Sequence, residues 1–161
     1  MSDLFTKFTI IAATILIALI LTIIPFPEWA RPYRPEWILL VLLYWTIALP
    51  NNVGVGVAWG VGLLVDVLRG TLLGHHALGF ALTAYIALRF HQRIRTYPLH
   101  QQAFFIALFM IPYMTVALWI EGLRGQDPDT IAYWAPVLTS ALFWPWVFLI
   151  LRSTRRSADL Q

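Results

Sequence analysis

Long apolar runs alternate with short polar segments along the whole chain. With about 1.5 Å of rise per helical residue and about 30 Å of hydrocarbon to cross, the pattern predicts helices at residues 5–24, 37–49, 53–68, 76–90, 103–120 and 134–151. The first run and the last two are long enough to span a bilayer. The other three are short, so they thin the bilayer, continue into the interface or re-enter between other helices. We therefore predict one all-α membrane bundle of about six helices over residues 1–161.

A hairpin is predicted between the second and third runs. Pro50, Asn51 and Asn52 separate them, and proline removes a backbone donor and disfavours helix at the residue before it. The two runs add two crossings if they span the bilayer and none if they re-enter, which is an even number in both cases. Each later loop therefore lies on the same side of the membrane in both cases.

The positions of the cations predict the orientation. With the amino terminus inside, the cytoplasmic segments hold Lys7, Arg89, Arg93, Arg95, Arg152, Arg155 and Arg156, and the outer segments hold Arg31, Arg34, Arg69 and Arg124. Cytoplasmic loops carry an excess of Lys and Arg, and acids contribute little to this rule. The distribution predicts that both termini are cytoplasmic (N-in and C-in).

Composition is consistent with a lipid environment. Hydrophobic residues make up 60% of the chain and charged residues 12%, with a mean hydropathy of +0.72, whereas about a quarter of a soluble domain is charged. The chain has no cysteine, which excludes disulfides and cysteine metal sites. The net charge of +3 lies in short clusters between apolar runs. Such clusters favour lipid headgroups, or a cytoplasmic protein at Arg89, Arg93 and Arg95, over nucleic acid.

Asp66 is the one acid inside an apolar run. A carboxylate there is costly enough to need a partner or a role. Three interpretations are open: Asp66 pairs with Arg69 or caps a neighbouring helix, it contacts a partner protein, or it handles a proton or ligand. Gly70 and Gly74, which bound the following loop, are candidate structural residues beside it.

Small residues line the third run. Gly56 and Gly60 have the small-xxx-small spacing that lets two helix backbones approach closely. The spacing predicts that the third helix is central and closely packed. The close contact lies either inside the bundle or at an interface with another molecule.

Aromatic residues and prolines provide further candidates. Trp37 lies at a predicted outer edge, where Trp and Tyr are enriched. In the sixth run Pro145 predicts a kink between Trp144 and Trp146, whose side chains leave the helix on different sides. These two rings serve either lipid packing or a partner helix.

Known catalytic motifs are absent from the sequence. It contains no nucleophile elbow, zinc-protease motif, phosphate loop or dinucleotide fingerprint. Ser140 is expected to bond a backbone carbonyl. His75 and His76 are adjacent, so their side chains leave a helix about 100° apart, and we expect interfacial polar residues here, not metal ligands. We predict no enzymatic activity, no cofactor and no metal.

Several stretches together resemble the MreD family of small bacterial rod shape-determining membrane proteins. The resemblance covers nearly the whole chain and rests on the order and spacing of these stretches. They are Arg34-Pro35-Glu36-Trp37, Tyr44-Trp45, Pro50, Gly60-Val61-Gly62 with Asp66, Gly70-Thr71-Leu72-Leu73-Gly74 with Ala77-Leu78, and Phe143-Trp144-Pro145-Trp146 with Arg152. The gammaproteobacterial branch is the most similar.

The resemblance implies a non-catalytic, multi-pass inner-membrane scaffold of the cell-elongation complex. Such a subunit binds MreC and works beside MreB, RodA and its penicillin-binding transpeptidase, so that it helps to regulate peptidoglycan synthesis and cell shape. The family is also thought to share a fold with the substrate-binding (S) components of energy-coupling-factor (ECF) vitamin transporters, which supplies an alternative function as a small-molecule-binding subunit. The short predicted outer loops and few polar residues weaken that alternative.

Overall fold

The computed structural model describes residues 2–30, 33–70, 73–125 and 133–157. The helices are α1 (Ser2–Ile23), α2 (Trp37–Ala48), α3 (Val55–Arg69), α4 (His75–Thr96), α5 (Leu99–Leu123) and α6 (Ala135–Ser157). Regular structure within the described residues is all helical, which confirms the all-α part of the predicted fold class. Arg31, Thr71 and Leu72, which carried part of the sequence argument, lie outside the described residues.

Within the described part of the chain, α1, α5 and α6 are the helices long and apolar enough to cross a membrane. They correspond to the first and the last two predicted runs. α2 is apolar but has only 12 residues. The chain is therefore a helical membrane protein, and full crossing by α2, α3 and α4 stays a prediction.

The centre of the bundle is α2. Every residue from position 38 to position 47 is buried, and the helix packs against α1, α4 and α6. A helix that is apolar all round is expected to be buried on every side. The prediction of a central third helix was wrong, because α3 packs mainly on α4 and leaves one side exposed.

Lys7 near the start of α1, the end of α2, the start of α5 and the last turns of α6 lie together at one end of the bundle. We call basal the end that holds Lys7, the hairpin at 49–54, the turn at 97–98 and the last turns of α6. The opposite end is distal. At the basal end the predicted hairpin is present, with the amides of Asn52 and Val53 each donating to the Leu49 carbonyl at 3.0 Å.

At the distal end, side chains join the helices. The Arg34 guanidinium donates to the carbonyls of Thr22, at 2.7 Å, and Ile24, and so ties the end of α1 to the segment before α2. The Glu36 amide donates to Ser140 Oγ at 3.0 Å, which joins α2 to α6. Ser140 therefore accepts from a backbone amide, where a backbone carbonyl was the expected partner.

Candidate functional site

Asp66 caps the start of α4 from the neighbouring helix. Its side chain is fully buried, at 0% exposed. One oxygen lies 2.9 Å from the Gly74 amide nitrogen and 3.4 Å from that of Ala77, and the other lies 2.9 Å from the His76 amide nitrogen. The first amides of a helix have no partner inside the helix, and a carboxylate satisfies both these donors and the positive end of the helix dipole. Asp66 thus fixes α3 against α4.

His76 extends the contact of Asp66 to a cation. Its Nδ1 lies 2.7 Å from Asp66 Oδ1, and its Nε2 lies 3.1 Å from an Arg69 guanidinium nitrogen. Because a guanidinium only donates, Nε2 accepts, so the proton is on Nδ1 and is donated to Asp66. The neutral ring therefore connects a buried carboxylate to the Arg69 cation.

The two loop glycines shape the α3–α4 connection. Gly70 follows the last turn of α3 with φ +67°, and Gly74 precedes α4 with φ +99°. Both values lie in the left-handed region that glycine adopts without a steric penalty. The connection thus brings the first amides of α4 to the Asp66 carboxylate.

A close approach of backbones joins α3 to α4 at Gly62. A Cβ at this position would lie 2.4 Å from Ala77 Cα and 2.6 Å from Ala77 N. Ala58, Gly62 and Asp66 recur every four residues and are buried on one side of α3. Sequence reasoning noted Gly62 only as part of the glycine run, although this four-residue spacing was a signal for it.

Gly56 and Gly60 do not take part in that contact. Apart from their chain neighbours and the local backbone of α3, no described atom lies within 4 Å of where their Cβ atoms would be. These two glycines therefore do not pack against another described helix. They belong to an exposed surface of α3 that also contains Val57, Leu64 and Val67. We call these five residues the α3 outer face.

The tryptophan candidates divide between core and surface. Trp144 is 1% exposed, and its indole nitrogen donates to Gln102 Oε1 at 3.2 Å. Trp146 is 66% exposed, while Pro145 between them lies inside α6. Trp37 packs edge-to-face on Phe143, with ring centroids 5.2 Å apart. Trp146 therefore belongs to the outer surface, and Trp37 and Trp144 fix α2 and α5 against α6.

The same substitution at two positions tests this division. Trp144→Phe leaves the buried Gln102 oxygen without its donor and removes volume, so we expect a loss of about 1–3 kcal/mol of stability. Trp146→Phe is the matched control and is expected to leave stability unchanged. Thermal unfolding of both variants in one detergent measures the difference, and equal unfolding temperatures would contradict the assignment.

The Asp66–His76–Arg69 contacts join α3 to the start of α4. Both ring nitrogens of His76 are engaged, and both His75 and His76 are buried, which corrects the expectation of interfacial residues. Their rings stack with centroids 4.8 Å apart. No group of three potential metal ligands occurs among the described residues.

Tyr133 lies near two carboxylates, those of Glu121 and Glu36, at the distal end. Burial, together with the nearby Glu121 and Glu36 carboxylates, raises the pKa of Tyr133 to about 12. These surroundings disfavour the phenolate form of Tyr133. Arg124 lies 3.6 Å from Glu121 one turn back on α5.

Comparisons with known proteins agree across the length of the chain. A family model described as rod shape-determining protein MreD matches residues 2–154. A protein of Haemophilus influenzae named "Rod shape-determining protein MreD" is 34% identical over 156 residues, which cover 95% of this chain and 94% of that protein. No solved structure matches the chain.

Proposed function

The chain belongs to the MreD family of rod shape-determining proteins, and from this premise we propose that it is a non-catalytic inner-membrane subunit of the cell-elongation complex. In this proposal it binds the single membrane span of MreC. It thereby helps to couple MreB filaments on the cytoplasmic side to RodA and its transpeptidase on the other side. The likeness to ECF S-components stays a prediction.

The observation that carries the proposal is the α3 outer face. Gly56 and Gly60 are exposed and four residues apart, so they leave a shallow groove on the helix surface. In lipid, helices associate through close backbone packing, because lipid tails are as apolar as leucine side chains. Leu64 and Val67 continue the same face toward the distal end, and their exposed side chains are bulkier than those of the two glycines. A single partner helix fits this surface.

Rigid support behind the face strengthens the proposal. Ala58, Gly62 and Asp66 on the opposite side of α3 fix the helix to α4. A partner helix bound to the outer face therefore meets a surface that is already ordered, which reduces the entropy lost on binding. We propose that this is why a buried carboxylate lies in a helix that faces lipid.

The membrane orientation completes the proposal. We place the basal end in the cytoplasm, because Lys7, Arg93, Arg95, Arg155 and Arg156 lie at that end. The exposed cations Arg93 and Arg156 then face either MreB or anionic headgroups. RodA and its transpeptidase would meet the distal end.

Bulky side chains in the groove test the MreC contact. The double variant Gly56→Leu/Gly60→Leu is expected to lower MreC recovery about tenfold, equivalent to about 1.4 kcal/mol. The measurement is mass spectrometry of proteins that co-purify with the tagged chain in mild detergent. Cells that depend on the variant are expected to lose rod shape.

Gly122→Leu is the matched control. Gly122 is an exposed glycine of α5 with open space at its potential Cβ, so Gly122→Leu adds one such side chain away from the α3 outer face. Undiminished MreC recovery with the double variant would contradict the proposed contact. Recovery of an ATPase pair and a bound vitamin from the unmodified chain would favour the transporter alternative.

A further inference from the structure

A cavity opens at the basal end of the bundle. Its volume is about 840 Å³, within the range of about 300–1,000 Å³ typical of small-molecule sites. It lies between α2, α4, α5 and α6, with the start of α1 at its edge. Neither the α3–α4 junction nor the α3 outer face contributes to it.

Four cations converge on this cavity: Lys7, Arg95, Arg152 and Arg155. No carboxylate is among its lining residues, all of which belong to the described part of the chain. Asp3 lies one turn before Lys7 on α1. Lys7, Arg152 and Arg155 are partly buried, whereas Arg95 is exposed. Like charges gathered in a partly desolvated space repel each other, and an anion bound among them relieves that repulsion.

The walls of the cavity are fixed by hydrogen bonds. Arg95 donates to the carbonyls of Ile47 at 2.7 Å and Ala48 at 2.6 Å, which satisfies the end of α2. The Gln102 side chain donates to the Ile94 carbonyl at 3.0 Å and accepts from Trp144 at 3.2 Å. These groups hold the cavity open before any ligand enters, which is the arrangement expected of a binding site.

Arg152 and Arg155 are the two lining cations of α6. Residues three apart on a helix share a face, and both arginines are partly buried, whereas the next residue, Arg156, is exposed and does not line the cavity. The Arg152 guanidinium carbon lies 6.0 Å from the Phe148 ring centroid. The cavity therefore has an apolar floor, formed by buried rings such as Tyr44 and Trp144.

We infer that this cavity binds a phosphate ester. The planar guanidinium fork matches phosphate oxygens in geometry and charge. Arg152 and Arg155 offer such forks to the cavity, whereas Arg95 already donates to the Ile47 and Ala48 carbonyls. The mixture of basic rim and apolar floor suits an amphiphile, and basic pockets between membrane helices on the cytoplasmic side bind anionic headgroups. The ester comes either from a phospholipid headgroup or from a soluble phosphate. The inference depends on the proposed membrane placement and not on MreC.

Native mass spectrometry of the purified full-length chain tests this inference. Phosphatidylglycerol is expected to bind at least about tenfold more tightly than zwitterionic phosphatidylcholine. Arg152→Gln/Arg155→Gln is expected to remove that preference. The control Arg93→Gln/Arg156→Gln removes two exposed cations from the same end and is expected to keep it. The unfolding temperature of each variant shows whether it is folded.

The source of the phosphate is decided by competition with glycerol 3-phosphate. If it displaces the lipid at equal concentration, the site takes a soluble phosphate ester; if it does not, the site takes a lipid headgroup. Either result supports the inference. The inference is overturned if the unmodified chain shows no preference for phosphatidylglycerol, or if the control variant loses that preference equally. It is also overturned if the chain binds poly-glutamate but no phosphate ester. MreC recovery is measured separately, so the two proposals fail independently.

Discussion

Asp66→Ala is expected to separate α3 from α4 and to abolish rod-shape function. The variant leaves the amides of Gly74 and His76 and the ring of His76 without their buried acceptor. Removing one partner of a buried charged network costs about 3–5 kcal/mol, a large fraction of the stability of a small domain. Thermal unfolding in detergent measures the loss, and MreC recovery and cell shape report its consequence.

Glu28→Ala is the control for Asp66→Ala. Glu28 is an exposed carboxylate at the distal end, so its removal changes the charge equally without leaving a buried donor unsatisfied. Asp66→Asn retains one acceptor oxygen, so its unfolding temperature is expected to lie between those of Asp66→Ala and Glu28→Ala. Full rod morphology with normal complex recovery in Asp66→Ala cells would contradict the role assigned to this residue.

Gly62→Ala is expected to destabilise the bundle although alanine favours helix. The new Cβ would lie 2.4 Å from Ala77 Cα, and because that atom belongs to a backbone, α3 and α4 must move apart. Overpacking of this kind costs about 1–3 kcal/mol or more. We expect a lower unfolding temperature and weaker MreC recovery, because the α3 outer face shifts with its helix.

Gly60→Ala is the matched control on the same helix. Its added Cβ meets no described atom within 4 Å, so the intrinsic gain of about 1 kcal/mol for replacing glycine by alanine in a helix is retained. For the unfolding temperature, the two variants differ in the close approach to α4. If they unfold at the same temperature, the Gly62–Ala77 contact does not determine the packing of α3.

The positions of the helices were predictable from the sequence because each depends on a local pattern. The observed α2, Trp37–Ala48, begins where the apolar run begins and ends before Pro50, where proline blocks a helix. α4 and α5 extend beyond their predicted ends to Thr96 and Leu123. The polar and charged residues in these last turns continue the helix, although they end the apolar run on which the prediction depended.

The contacts between helices were less predictable, because they depend on which faces meet. The glycine spacing correctly marked α3 as a helix with small residues, but it did not reveal that Gly62 faces α4 while Gly56 and Gly60 face outward. Helix capping was one of the interpretations left open for Asp66. The bridge through His76 to Arg69 depends on how α3 and α4 pack against each other, which the sequence left undetermined.

The basal cavity was not predicted, because it is assembled from distant parts of the chain. From the sequence, Lys7, Arg95 and Arg152 were predicted to lie on the cytoplasmic side, with Arg95 as a contact for headgroups or a cytoplasmic protein. Their convergence on a single cavity depends on the packing of α2 against α4 and α6. A charge count along the sequence carries no information about that packing.

Photo-crosslinking in living cells tests the central claim, that the α3 outer face binds MreC, most directly. A photoreactive amino acid is placed at Val67 on the α3 outer face or, as control, at Leu142 of α6, where the side chains are 66% and 71% exposed. We predict a crosslink to MreC from Val67 and none from Leu142. A crosslink to MreC from Leu142 with none from Val67 would place the partner on another side of the bundle and contradict the account.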